Sequence, residues 1–108
     1  MKYEVYQINL TRDDIKESRE TVGTKHHAHM TTTFCDEGAA QKAWDAGFYN
    51  HVCNIIADDL DDVFRIGNIG PEEDIERLDR MHSISVGDII KNEDGEMFVV
   101  TPDEFDKI

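Results

Sequence analysis

The sequence predicts a single α+β domain over residues 1–108: an antiparallel sheet with a C-terminal β-hairpin and several short helices. Three observations carry that expectation. Residues 3–10, "YEVYQINL", alternate polar and apolar side chains rich in aromatic and β-branched types, the mark of a half-buried strand. Leu60, Val63 and Phe64 stand at i, i+3 and i+4, the spacing of one helical face. "SVGDII" and "EMFVV" flank "KNEDG", in which Asp94-Gly95 supplies the positive φ of a tight hairpin turn. A chain of 108 residues is the size of one domain.

Along the chain, "TRDDIKESRE" opens with Thr11 and Asp14 at capping-box spacing, followed by few apolar anchors. It predicts a short exposed helix or a loop that ends near Gly23. Threonine suits a pleated surface, so "HMTTTFC" reads as a strand. Asp36 is placed to cap a helix through "EGAAQKAWDAGFY", with Ala39, Ala40, Ala43 and Trp44 on one side and Gly47 as its stop. Trp44, Phe48 and Tyr49 then form an inward stripe. "YNHVCNII" fits either an extension of that helix or a strand, since short apolar runs do not discriminate by period.

"ADDLDDVFRIGN" is a helix with aspartates in its first turn and Gly67 at its end. Pro71 fits the first position of a further helix, with Ile75 and Leu78 pointing inward. In the hairpin, Gly87-Asp88 turns the backbone into the sheet, and Ile84, Val86, Ile89 and Ile90 are core candidates. Pro102 closes the second strand, and "EFDKI" forms a last turn or short strand.

Charge narrows the function. Against 24 Asp+Glu stand 11 Lys+Arg, a net −13, and most of that charge lies from Asp58 onward. Such a field repels phosphate backbones, disfavours direct nucleic-acid binding and attracts a basic protein surface. Two acidic clusters, Asp58, Asp59, Asp61 and Asp62, then Glu72, Glu73 and Asp74, are the candidate partner-binding residues. Neither has the alternating acids and central glycine of a calcium loop. Their ordinary role is to compensate helix dipoles and keep the chain soluble.

Ser83 and Ser85 lack the glycine-flanked elbow of a serine nucleophile, and no glycine-rich loop with lysine cradles a phosphate. His26, His27 and His29 offer an alternative: a zinc site in which His27 and His29 share a strand face, completed by Cys35, Cys53, His51 or His82. A simple protonation switch is the more modest use of those histidines. Cys35 and Cys53 form no CxxC and read as free, buried thiols. The opening residues are charged and alternating, and no apolar run approaches the ~20 residues of a span. The expectation is a cytoplasmic protein without a membrane segment.

"RMHSISVGDII…GEMFVVTPDEF", the opening "YQI" and "FYNHVCNIIADDLDDVFRIGN" resemble the YodL-like family of small bacterial, phage and mobile-element domains. Met81-His82 and "PDEF" depart from the family pattern, and "KHHAHMTTTFCDEG" has no counterpart in it. The resemblance implies context more than chemistry. Joined to the charge, it yields the expectation of a non-enzymatic, cofactor-free phage or mobile-element protein. Such a protein would bind and modulate a host or viral protein in the host cytoplasm, by counter-defence or by mimicry of nucleic acid.

Overall fold

The computed structural model describes residues 1–108. Six strands, β1 (Lys2–Gln7), β2 (Asn50–Ile56), β3 (Ile75–Arg77), β4 (Ile89–Lys91), β5 (Met97–Val100) and β6 (Phe105–Lys107), form one antiparallel sheet in the order β3-β2-β1-β4-β5-β6. Four helices accompany it: α1 (Arg12–Lys16), α2 (Lys25–Thr33), α3 (Ala39–Asp45) and α4 (Leu60–Ile69). The mixed α+β class and the C-terminal hairpin are those the sequence predicts. No helix is long and apolar enough to cross a membrane.

The alternation in β1 places Tyr3, Val5 and Gln7 inside. Val5 pairs with Cys53 and with Ile90, and Tyr3 pairs with Ile55, so these side chains share one face of the sheet. Helix α4 buries Val63 and Ile66 on that face, and Ile84 and Val100 complete the cluster. Each fully buried aliphatic side chain contributes about 1.5–3 kcal/mol relative to exposure. Tyr6 and its partner Ile89, the strand neighbours of Val5 and Ile90, point the other way. There the Trp44 ring of α3 meets Tyr6 edge-on at 4.8 Å, and Ala39, Ala40 and Ala43 are buried outside the first cluster. Helices α2 and α3 thus cover the second face.

The largest departure from the sequence reading is "HMTTTFC", which is helical rather than extended. Thr24 caps α2 by accepting from His27 N–H at 3.1 Å. Thr31, Thr32 and Thr33 turn their hydroxyls back onto the carbonyls of Ala28 and His29, which lets β-branched residues sit in a helix. Cys35 closes α2 in a left-handed conformation at φ 57°, with Cys35 N–H on Thr32 O and Asp36 N–H on Thr31 O, a Schellman pair. Cys35 is therefore exposed, not buried as expected; only Cys53 is inside, and both thiols are free.

Smaller corrections have equally local causes. Helix α1 ends at Lys16, well before Gly23, although its Thr11–Asp14 capping box forms as read. Helix α3 begins after Gly38 with no side-chain cap from Asp36, and it stops at Gly47 as read, leaving Phe48 and Tyr49 beyond its end. "YNHVCNII" resolves as strand β2. Helix α4 runs through Gly67 to Ile69. Pro71 opens only a 3-10 turn over Glu72–Asp74; Ile75 then enters β3 and packs on the core, while Leu78 is exposed.

Candidate functional site

The strongest surface feature grows from the start of α4. The Asp59 carboxylate accepts from Asp62 N–H at 2.8 Å, and Asp62 accepts from Asp58 N–H at 3.1 Å while pairing with Arg65. These bonds fix the first turn and hold Leu60 and Asp61 beside β5 and β6. The Asp103–Glu104 turn faces them. It is fixed by Thr101, whose N–H donates to Glu104 O at 2.9 Å and whose Oγ1 accepts from Glu104 N–H at 3.0 Å.

Between these walls lies an open groove of about 620 Å³. Tyr3, Leu60, Phe98 and Phe105 give it apolar surface, and Asp59, Asp61, Asp103 and Glu104 supply carboxylates. No lysine, arginine or histidine lines it. The Tyr3 hydroxyl registers the resulting field: burial raises its pKa first, and the carboxylates of Asp59, Glu93 and Asp58 raise it further.

The structure brings only part of the sequence-predicted acidic set together. Asp58, Asp59, Asp61 and Asp62 share the N-terminal end of α4, with Asp59 and Asp61 in the groove. Glu72, Glu73 and Asp74 follow the other end of that helix, about 15 Å of helical rise away. Glu72 is engaged by Arg77 through two bonds of 2.5 and 3.1 Å, which lower its pKa. It lines a different cleft with Ile66, Ile75 and Met81.

The histidines stand differently from the zinc expectation. On helix α2, residues i and i+2 point about 200° apart, so His27 and His29 do not share a face. His26 Nδ1 lies 2.9 Å from Glu17 O, and His27 Nδ1 lies 2.8 Å from Arg19 O; each ring tethers the loop before α2. No three side chains among histidine, cysteine, aspartate and glutamate gather where they could hold a metal ion.

A second cleft lies where the 82–88 loop meets α2. It has a volume of about 540 Å³ and is lined by His29, Thr32, His82, Ser85 and Asp88 among others. Gly87 makes the approach possible: at φ +95°, a β-carbon there would stand 2.8 Å from Thr32 O. Tyr49 braces the loop by donating to Gly87 O at 2.5 Å. Asp88 is almost wholly buried, and its Oδ2 accepts from Gln7 Nε2 at 3.0 Å and from Ser85 N–H at 2.9 Å. Gln7 also holds the His82 backbone, donating to its carbonyl at 2.9 Å and accepting from its N–H at 3.1 Å. Burial raises the Asp88 pKa to about 6. His29 is pushed below its usual value, first by desolvation and then by His82 and His26. Ser85 Oγ donates to Ser83 O at 3.0 Å, and Ser83 O also receives His82 Nδ1 at 2.7 Å, so neither serine is arranged as a nucleophile.

Sequence reading missed Tyr3, Phe98, Phe105, Asp103 and Glu104 as one surface, because only the sheet order brings β1 beside the hairpin strands. A usable signal existed for Asp88: a carboxylate placed between Val86 and Ile89, inside an apolar run, needs a partner. No family model matches the chain, and neither a curated protein nor a solved structure shows significant similarity to it.

Proposed function

We infer that this chain is a small non-enzymatic protein that binds a protein partner by taking a basic segment of it into the groove at the start of α4. One observation carries the reading: four carboxylates rim a groove floored by half-buried Leu60, Phe98 and Phe105, with no cation of the chain itself lining it. A lysine or arginine side chain matches both halves of that surface. Its aliphatic stem packs on Phe98, Phe105 and Leu60, and its charged head meets Asp59, Asp61, Asp103 or Glu104. The net charge of −13 speeds the encounter with such a partner. The separation of the two acidic clusters favours a local groove over one long phosphate-like row.

The YodL-like resemblance supplies the setting: a phage or mobile element, and a host or viral protein whose activity the complex modulates. The test is capture of a partner from a host lysate by the wild-type chain and by Asp61→Lys/Asp103→Lys/Glu104→Lys. The captured protein is then titrated against both forms at rising salt. Binding that weakens with salt and is lost on charge reversal supports the reading; binding indifferent to both overturns it.

A further inference from the structure

We propose that the cleft between α2 and the 82–88 loop is a binding site for a small organic cation rich in N–H donors, held by the open oxygen of Asp88 and by the His82 and Ser85 side chains. The argument is an inventory of hydrogen-bonding capacity. Both protein donors that reach Asp88, Gln7 Nε2 and Ser85 N–H, bond to Oδ2. Oδ1 has no partner, yet no fully buried side-chain oxygen or nitrogen of the chain is unpaired. Oδ1 is therefore the point at which an otherwise buried carboxylate touches the cleft.

The other polar groups at the cleft point to the same ligand. His82 Nδ1 faces a carbonyl, Ser83 O, and so must be the protonated nitrogen; in the neutral ring Nε2 is left as an acceptor. Ser85 Oγ spends its proton on Ser83 O and keeps its lone pairs. The Thr32 and Thr33 hydroxyls likewise spend theirs on His29 O. No lysine or arginine lines the cleft. The site thus offers mainly acceptors and a single negative charge; of its side-chain protons only the one on the His29 ring is uncommitted. An anion would find only the His29 ring N–H, on an imidazole whose burial disfavours its charged form, and would face the Asp88 carboxylate. An ammonium or guanidinium satisfies Oδ1 and the neighbouring lone pairs at once. The volume, about 540 Å³, is in the range of small-molecule sites and holds a ligand of modest size with room for water.

Agmatine, which carries both an ammonium and a guanidinium, is the probe. Titrated into the full chain under NMR observation, it should shift the His82 and His29 imidazole resonances saturably. Asp88→Asn keeps an acceptor for Gln7 and Ser85 but loses the charge, and should bind roughly 10- to 100-fold more weakly. His82→Ala, on an exposed side chain, gives a second variant with the same expected direction if the first fails to fold. The proposal is overturned if agmatine produces no saturable shift. It is equally overturned if the folded variants bind as the wild type does, or if the shifts fall on Tyr3, Phe98 and Phe105 in the other groove. The last outcome would leave the acidic-groove reading intact, and loss of partner binding there would leave this one intact.

Discussion

Gly67 and Ile84 touch across the interface between α4 and the loop before β4 so closely that a β-carbon on Gly67 would stand 2.6 Å from Ile84 Cγ1 and closer still to Cδ1. Ile84 is buried and belongs to the main core cluster, so it has little room to retreat. The glycine lies inside the helix, not at its end.

A Gly67→Ala exchange therefore sets two effects against each other. Alanine gains up to about 1 kcal/mol of helix propensity, whereas overpacking a core contact costs about 1–3 kcal/mol. The contact wins: the expected net change is a destabilisation of about 1 kcal/mol, read as a lower urea midpoint with an unchanged slope. Pairing it with Ile84→Val should recover part of the loss, because the clashing Cδ1 is then absent.

Cys35 presents the opposite case, an L-residue in a left-handed position that glycine occupies at no steric cost. Its side chain is exposed and makes no hydrogen bond, while its backbone completes the Schellman closure of α2. Relief of the left-handed penalty, about 1–2 kcal/mol, is partly offset by the larger backbone entropy that glycine loses on folding. Cys35→Gly should raise stability by roughly 0.5–1 kcal/mol. Cys35→Ala should not, and a thermal or urea comparison of the two separates conformation from loss of the thiol.

These two positions show where the sequence was legible and where it was not. Periodicity and turn chemistry placed β1, α4 and the hairpin, because those signals act over neighbouring residues. The stop assigned to Gly67 was wrong for a non-local reason: the residue is small to admit Ile84, seventeen positions away along the chain. The "HMTTTFC" segment misled because threonine's strand preference was outweighed by its own hydroxyls bonding back along the helix. For the candidate surfaces, Asp59 and Asp61 were legible as charge. Their aromatic companions, and the union of His29 with His82 and Asp88, required the sheet order.

The pH dependence of stability should carry a signature of Asp88. Its pKa in the folded chain, about 6, lies above the ordinary 3.8, so the folded state holds this proton more tightly. The sign follows: the favourable contribution is complete below pH 3.8 and is lost as pH rises through about 6, up to roughly 3 kcal/mol at about 1.4 kcal/mol per unit. His29 acts in the other direction, since a lowered histidine pKa gives stability that is complete above 6.5 and lost as pH falls. Asp88→Asn removes only the first effect. Relative to wild type, the variant should gain stability steadily from pH 4 to pH 7 in urea titrations. Parallel curves for the two proteins would contradict a buried, late-titrating carboxyl.

The groove at the start of α4 makes a prediction that separates its charged and apolar parts. Asp61, Asp103 and Glu104 hold no hydrogen bond through their carboxylates, whereas Asp59 caps the helix and Asp62 pairs with Arg65. Reversing the first three to lysine should therefore leave the urea midpoint close to wild type, surface changes of this kind lying within about 0.5 kcal/mol. Asp59→Ala removes the cap and should cost about 1 kcal/mol of stability. Against a basic partner peptide, the triple reversal should act mainly on the association rate and flatten its salt dependence. Phe98→Ala should instead speed dissociation, because it removes apolar contact without altering the field. Stopped-flow measurement of both rates at two salt concentrations distinguishes the cases. If the triple reversal leaves association and its salt dependence unchanged, the partner does not enter by the groove's carboxylates.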